Sequence, residues 1–295
     1  MKNFLIITLS LLLLSCGGRG GETIKTVAET GGELYAPGQE TVYIDVEQKS
    51  ITATNLIPAY TIIEKPQVSL SAFPVDKDGY IILFDGSCTK GWRGYGRDEL
   101  PKRWTIEEGA LKFSGTGAGE AQESDGGDVI FARKFKNFEL SVDWKASEGG
   151  NSGIFYLAQE IKNQPIYISA PESQILDNAN HADGRLAKTS SSSLYDMVAA
   201  DPQNAKPFGE WNNTTIIVDR GNVYHLQNGE VVVRYNLWTP RWTEMLQASK
   251  FSLERWPLAF ELLNNVGGPN REGYIGLQDH GDDIWFRNIK IKILD

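Results

Sequence analysis

Cysteine is scarce in this chain: Cys16 and Cys88 are the only two among 295 residues. A body without a disulfide framework must be held by its core, and a chain of this length buries about three quarters of its surface on folding. Histidine is also rare, with three copies, so zinc, which prefers thiolate and imidazole ligands, finds few. Basic charge is short as well. There are 29 Lys and Arg against 38 Asp and Glu, for a net charge of −9. A nucleic-acid partner wants a basic face, so none is expected. The chain lacks GxGxxG, a Walker loop, HExxH, GxSxG and any CxxC pair. Cofactor chemistry has no motif to rest on.

No apolar run reaches the roughly 20 residues that a membrane span takes. The run from Phe4 to Leu14 follows Lys2 and has the length of a signal h-region. Leu13-Leu14-Ser15-Cys16 then fits a lipobox, with Leu at −3, a small residue at −1 and the cysteine that is acylated. The reading is a bacterial lipoprotein of the cell envelope, periplasmic or outer-membrane. Residues 1–15 are its signal peptide, and 16–32 its lipid anchor and glycine-rich tether. Several acyl chains, at about 0.8 kcal/mol per buried methylene, hold such a protein to the membrane. With Cys16 lipidated, Cys88 is expected to stand alone.

What is abundant is strand pattern. Residues 33–78 carry short β-like runs interrupted by Pro58, Pro66 and Pro74, and read as a β-rich amino-terminal extension. From residue 79 to 295 the periods are those of strands. Phe138 to Lys145 alternates apolar and polar side chains, Tyr80 to Phe84 is a buried-type run, and Asn228-Gly229 suits a type I′ hairpin turn. Thirty glycines punctuate these runs. The expectation is an all-β sandwich with one short helix near 243–249.

Aromatics are plentiful too, above all eight tryptophans. Trp144 lies on the apolar side of its strand and reads as core. Trp92, Trp211, Trp238 and Trp242 sit beside polar residues, a setting that suits stacking on sugar rings. Three polar clusters stand out: 172–178, 206–212 and 278–283. The last places His280 on a turn between strands, where it can face a cleft, whereas Asp282 and Asp283 read as solvated loop charge. His225 and His181 are weaker candidates. A two-carboxylate glycosidase needs carboxyls about 5–5.5 Å or 6.5–9.5 Å apart. Glu139 and Asp143 share a strand face, but four residues of strand separate them by roughly 13 Å. Glu172 and Asp177 fall on opposite faces of a regular strand. No local pair qualifies.

From residue 79 onward the chain resembles the 3-keto-disaccharide hydrolase family. The resemblance rests on Ile82-Leu83-Phe84-Asp85-Gly86 with Gly91-Trp92, on Gly149-Gly150-Asn151-Ser152-Gly153 and on Glu172-Ser173-Gln174-Ile175-Leu176-Asp177-Asn178. It continues through Leu194-Tyr195-Asp196, Lys206-Pro207, Gly209-Glu210-Trp211-Asn212 and Gly276-Leu277-Gln278-Asp279-His280-Gly281. It implies a concanavalin A-like jelly roll that cleaves glycosides already oxidised at C3. The ketone acidifies the C2 proton, so one base and one acid suffice, with donors for the enolate oxygen. On that basis His280 or Asp177 is the expected base, and Glu210 or Glu172 the acid or orienting group. Lys206 and Gln278 are placed near the enolate, with Trp211 and Trp92 stacking on the sugar. Gln174, Tyr195, Asn212 and His225 are further candidates to touch an oligosaccharide substrate. No metal is expected, and although oxygen-rich clusters bind hard cations, no spacing demands a divalent ion. A conventional glycosidase and a non-catalytic carbohydrate-binding lipoprotein stand as alternatives.

Overall fold

The structure, a computed structural model, describes residues 40–47, 49–52, 55–117 and 125–295. The signal peptide, Cys16, the tether and most of the loop after Gly117 lie outside the described residues. In chain order the extension supplies β1 (Val42–Val46), β2 (Lys49–Thr52), β3 (Asn55–Ile57) and β4 (Tyr60–Glu64). The body follows with β5 (Ile81–Phe84), β6 (Trp92–Gly94), β7 (Trp104–Glu107), β8 (Ala110–Phe113), β9 (Val129–Phe135), β10 (Phe138–Ala146), β11 (Asn151–Ala158) and β12 (Glu172–Leu176). Then come β13 (Asn212–Asp219), β14 (Asn222–Gln227), β15 (Glu230–Asn236), α1 (Pro240–Gln247), α2 (Pro257–Asn264), β16 (Gly273–Leu277) and β17 (Ile284–Ile293).

Two antiparallel sheets face each other. The larger runs β15-β14-β13-β10-β17-β8-β7, with β5 also on β17, and the smaller runs β12-β11-β16-β9-β6. This is the all-β sandwich that the strand periods predict, in the jelly-roll form that the resemblance implies. β10 shows why the sequence folds this way. Its apolar members Phe138, Leu140, Val142 and Trp144 are buried while the residues between them are only half-buried. Trp144 pairs with Phe286 across the ladder, and its indole N–H donates to Thr214 Oγ1 at 2.9 Å. From the small sheet Phe131, Ile154, Tyr156, Ile175 and Leu277 complete the same core. Truncating so central a ring typically costs about 3–5 kcal/mol. At the hairpin between β14 and β15, Asn228 and Gly229 take φ of 52° and 87°, the left-handed pair a type I′ turn requires.

The extension joins the body rather than standing off it. Ile57, Val68 and Phe73 belong to the main core, and the Ile63 amide donates to Glu160 O at 2.8 Å. α1 lies where one helix is expected; α2, which begins at Pro257, is not foreseen. The expectation of an unpartnered Cys88 is corrected, since no cysteine among the described residues is free.

Candidate active site

β12 lies at the edge of the small sheet, and its period of two puts Glu172 and Gln174 on one face. Its partner β11 places Gly153 opposite Gln174 and Phe155 opposite Glu172. Gly153 is required there. A Cβ on it would lie 2.3 Å from Glu172 Oε1, so the carboxylate rests directly over the glycine. Oriented with its nitrogen inward, the Gln174 amide donates to Ser152 O and to Glu172 Oε1, each at 3.1 Å. Both side chains are buried.

β16 runs straight on into the second contribution. The Gln278 amide donates to Gly153 O at 3.0 Å, and Ser152 Oγ donates to Gln278 O at 2.8 Å. These bonds extend the ladder past the strand end and carry Gln278 onto the face of Glu172. Gln278 is 4% exposed, yet its Oε1 has no hydrogen-bond partner among the described residues. A buried acceptor left unmade costs about 1–3 kcal/mol, so an atom in this state marks a place where a ligand can donate. The next residue, Asp279, is wholly buried. It accepts from Gly127 N at 2.6 Å and Gly281 N at 3.0 Å, fixing the turn on which His280 stands. Half-buried His280 sets Nε2 3.3 Å from Asn151 Nδ2, and its ring meets that of His181 edge-on at 6.2 Å. Loops close the depression with Tyr195, Lys250 and Tyr167, so its lining is Asn151, Tyr167, Glu172, Gln174, Tyr195, Lys250, Gln278 and His280. Burial first, then the negative charges of Asp183 and Glu172, push the Tyr195 phenol up. It remains a proton donor across the working range of pH.

Five expected residues therefore come together: Glu172, Gln174, Tyr195, Gln278 and His280. Others do not. Asp177 accepts from Gly149 N (2.9 Å), Asn180 Nδ2 (2.7 Å) and Ala179 N (3.2 Å), which spends its carboxylate on the loop that carries His181. Glu210 stands in an exposed turn, and neighbouring Lys206 donates from Nζ to Trp211 O at 2.9 Å. The Trp211 ring is taken by the Arg287 guanidinium at 3.9 Å and Lys145 Nζ at 5.2 Å, on the outer face of the large sheet. Asn212 is buried, bonded to Lys206 N and Asn228 Nδ2. Trp92 is core, its N–H donating to Leu83 O and its ring packed on Phe131. Trp242 is core likewise, and the Trp238 ring faces Arg271 at 4.4 Å. His225 is fully buried between the sheets. Its Nδ1–H donates to Ser192 O at 2.9 Å, which leaves Nε2 to accept from the Tyr156 hydroxyl at 2.8 Å. Asp282 and Asp283 are not merely solvated. They accept from Asn151 N and Gly115 N, tying the turn down.

Asn151, Tyr167 and Lys250 escaped the sequence reading. The first lies inside the Gly149-to-Gly153 motif and was visible in principle. The other two reach the site from loops that only the tertiary packing brings near. As for metals, Glu172 and His280 are the carboxylate and imidazole that line the depression. No group of three or more His, Cys, Asp or Glu placed to hold an ion occurs among the described residues.

An antiparallel jelly roll whose sheet edge gathers imidazole, carboxylate, phenol, amides and ammonium has the build of a carbohydrate-active enzyme. Residues 79–292 match the 3-keto-α-glucoside-1,2-lyase-like domain, and the chain belongs to that family. It is 63% identical over 234 residues to a 3-keto-disaccharide hydrolase of Bacteroides thetaiotaomicron, covering 75% of this chain and 81% of that one. Among solved structures, a candidate glycosyl hydrolase of Parabacteroides distasonis superposes with a TM-score of 0.63 at 26% identity. That match covers 74% of this chain and 95% of the other.

Proposed function

We propose that this protein hydrolyses 3-keto-glycosides by elimination and hydration. The observation that carries the reading is the make-up of the depression: Glu172 is the single carboxylate among its lining residues, beside His280, Tyr195 and three amides. Double displacement or inversion needs two carboxyls facing one bond. Removal of a proton next to a ketone needs one base and good donors.

In this reading His280 takes the C2 proton, and the electrons move into an enolate on the C3 oxygen. The enolate reforms the ketone as the C1–O bond breaks and C1=C2 forms. The leaving oxygen collects a proton, for which Glu172 in its acid form or the Tyr195 phenol is placed. Water then adds at C1 and a proton returns to C2, so the sum is hydrolysis. Gln174 and Asn151 hold Glu172 and His280 in register, while the open Gln278 Oε1 accepts from a sugar hydroxyl. The match to a family of keto-glycoside enzymes supports the same choice of substrate.

The test is direct. Purified protein is incubated with a disaccharide and with its 3-keto derivative in deuterated water. Cleavage confined to the oxidised sugar, with deuterium at C2 of the product, is the expected result. Cleavage of the unoxidised sugar would return the two-carboxylate reading, and binding without turnover would make this a carbohydrate-binding protein.

The anchor is part of the proposal. The lipobox supports acylation of Cys16 and residence on a membrane of the bacterial envelope, where glycosides arrive from outside. A sulfur can carry a lipid thioether or a disulfide, never both. The intact mass of the mature protein, expected to show the acyl groups on Cys16, checks this.

A further inference from the structure

We propose that Lys250 is a catalytic residue of this site, its ammonium bearing the negative charge that develops on the C3 oxygen of a keto sugar. The inference rests on the keto-glycoside reading above. Lys250 lines the same depression as Glu172, Gln278 and His280. Its ammonium lies 4.3 Å from the Tyr195 ring centre, 5.0 Å from that of Phe251 and 5.6 Å from that of Tyr167. Lys112, Lys134 and Lys290 each meet a carboxylate. Lys250 Nζ makes no ion pair among the described residues. Ring faces attract a cation without neutralising it, unlike a carboxylate. The charge is held in place and left available.

The backbone is fixed for the same purpose. The Lys250 amide donates to Asp196 Oδ2 at 2.7 Å, which ties the turn after α1 to the turn that carries Tyr195. Asp196 itself sits at φ 59°, a left-handed conformation that aims its carboxylate back at that amide. The same depression is lined by Gln278, whose buried Oε1 has no partner among the described residues and can accept from a ligand hydroxyl. A sugar held there meets both an acceptor and a cation. As the C2 proton leaves for the base, electron density gathers on the C3 oxygen, and a fixed ammonium stabilises that state more than the neutral ketone. Lys250 forms no bond to the sugar in this role, and its proton stays on nitrogen.

Lys250→Met and Lys250→Arg, assayed on a 3-keto-disaccharide and on a 3-keto-glucoside with an aryl leaving group, test the assignment. Removing one such donor typically lowers kcat by about 10²–10³-fold. The expected result is a loss of that size for the Met variant on both substrates, with KM little changed and partial recovery in the Arg variant. The C2 hydrogen–deuterium exchange rate should fall in parallel. A loss that disappears with the aryl leaving group would make Lys250 the acid for the departing oxygen, and a borohydride-trapped adduct would make it a Schiff-base nucleophile. Either outcome overturns the proposal, as does undiminished turnover in Lys250→Met. Because the side chain is exposed at the rim, the variants should melt like the parent, which circular dichroism checks. A parent protein inert toward keto-glycosides would overturn this inference together with the reading beneath it. Parent turnover with an unimpaired Met variant would overturn this inference alone.

Discussion

Two surfaces of this protein are made of the same residue types and behave differently. At the edge of the small sheet, Glu172, Gln174, Gln278, His280, Tyr195 and Lys250 surround a depression. On the outer face of the large sheet, Arg287 and Lys145 gather around the Trp211 indole, beside the turn of Lys206 and Glu210 and with Asn212 buried behind it. In the second group much of the bonding is closed, although Arg287 Nε makes no hydrogen bond among the described residues and meets Asp143 Oδ2 only as an ion pair at 3.6 Å. Trp211 carries cations against its ring, Lys206 is bonded to Trp211 O, and Asn212 is bonded on both sides. In the first group the buried Gln278 Oε1 is left open, and Lys250, like Lys145 in the second, is held against rings. Residue type does not separate a site from a stable patch. Convergence on one depression does.

The largest effects should follow substitution in the open group. His280→Ala and Glu172→Gln are each expected to lower kcat/KM on a 3-keto-disaccharide by about 10²–10⁴-fold, the usual worth of a positioned acid or base. Steady-state kinetics beside the parent measure this. His280→Ala with full turnover would remove the imidazole from the role of base. Next comes Gly153→Ala. No positive φ forbids alanine there, but its methyl would meet Glu172 Oε1 at 2.3 Å, so the carboxylate must swing away. A shift of about 1 Å in a catalytic group costs on the order of 10²-fold. The expected pattern is a large fall in kcat with an almost unchanged melting temperature. Retained activity would mean that the position of Glu172 is immaterial.

The two surfaces were not equally legible in the sequence, and the reasons are physical. β10 announced itself because a strand buried on one side must alternate. Glu172 and Gln174 were legible for the same reason, since residues two apart share a face. The turn at His280 could be read from Gln278-Asp279-His280-Gly281 between two strand patterns. Lys250 could not, because its partners Tyr195 and Tyr167 arrive from distant loops and no local period links them. Trp211 and Trp92 were misread as sugar platforms. An indole beside polar residues looks alike in sequence whether its faces are open, covered by Arg287, or packed on Phe131. α2 was missed because Pro257-Leu258-Ala259-Phe260 is too apolar on every side to show a helical period.

A smaller effect separates His225 from His280. Burial pushes the His225 imidazole down to about 4, while the unfolded chain titrates near 6.5. The unfolded state therefore takes up the proton first, and stability is whole above pH 6.5. It declines as pH falls from 6.5 toward 4, by roughly 3 kcal/mol in all. Denaturant unfolding at a series of pH values measures this, and His225→Gln should flatten that part of the profile. A profile already flat in the parent would contradict a neutral, buried His225. The value of this experiment lies in what it leaves alone: in the proposed reading the histidine at the depression governs rate, whereas the one between the sheets is expected to govern stability.

The smallest effect falls on the closed surface. Trp211→Ala frees Arg287 and Lys145 from the ring, at a cost of about 0.5–1 kcal/mol for an exposed cation–π contact. Glu210→Gln alters an exposed turn and should stay within about 0.5 kcal/mol. Neither side chain lines the depression, so neither should change kcat/KM on the keto-disaccharide by more than about twofold. This near-silence is the sharpest test of the comparison, because the two surfaces share residue types and only one of them lines the depression. A tenfold loss in either variant would mean that substrate reaches across to the large sheet, and that the site extends beyond the edge of the small one. Silence in both, with the losses confined to Glu172, His280 and Gly153, would locate the chemistry where polar atoms were left waiting.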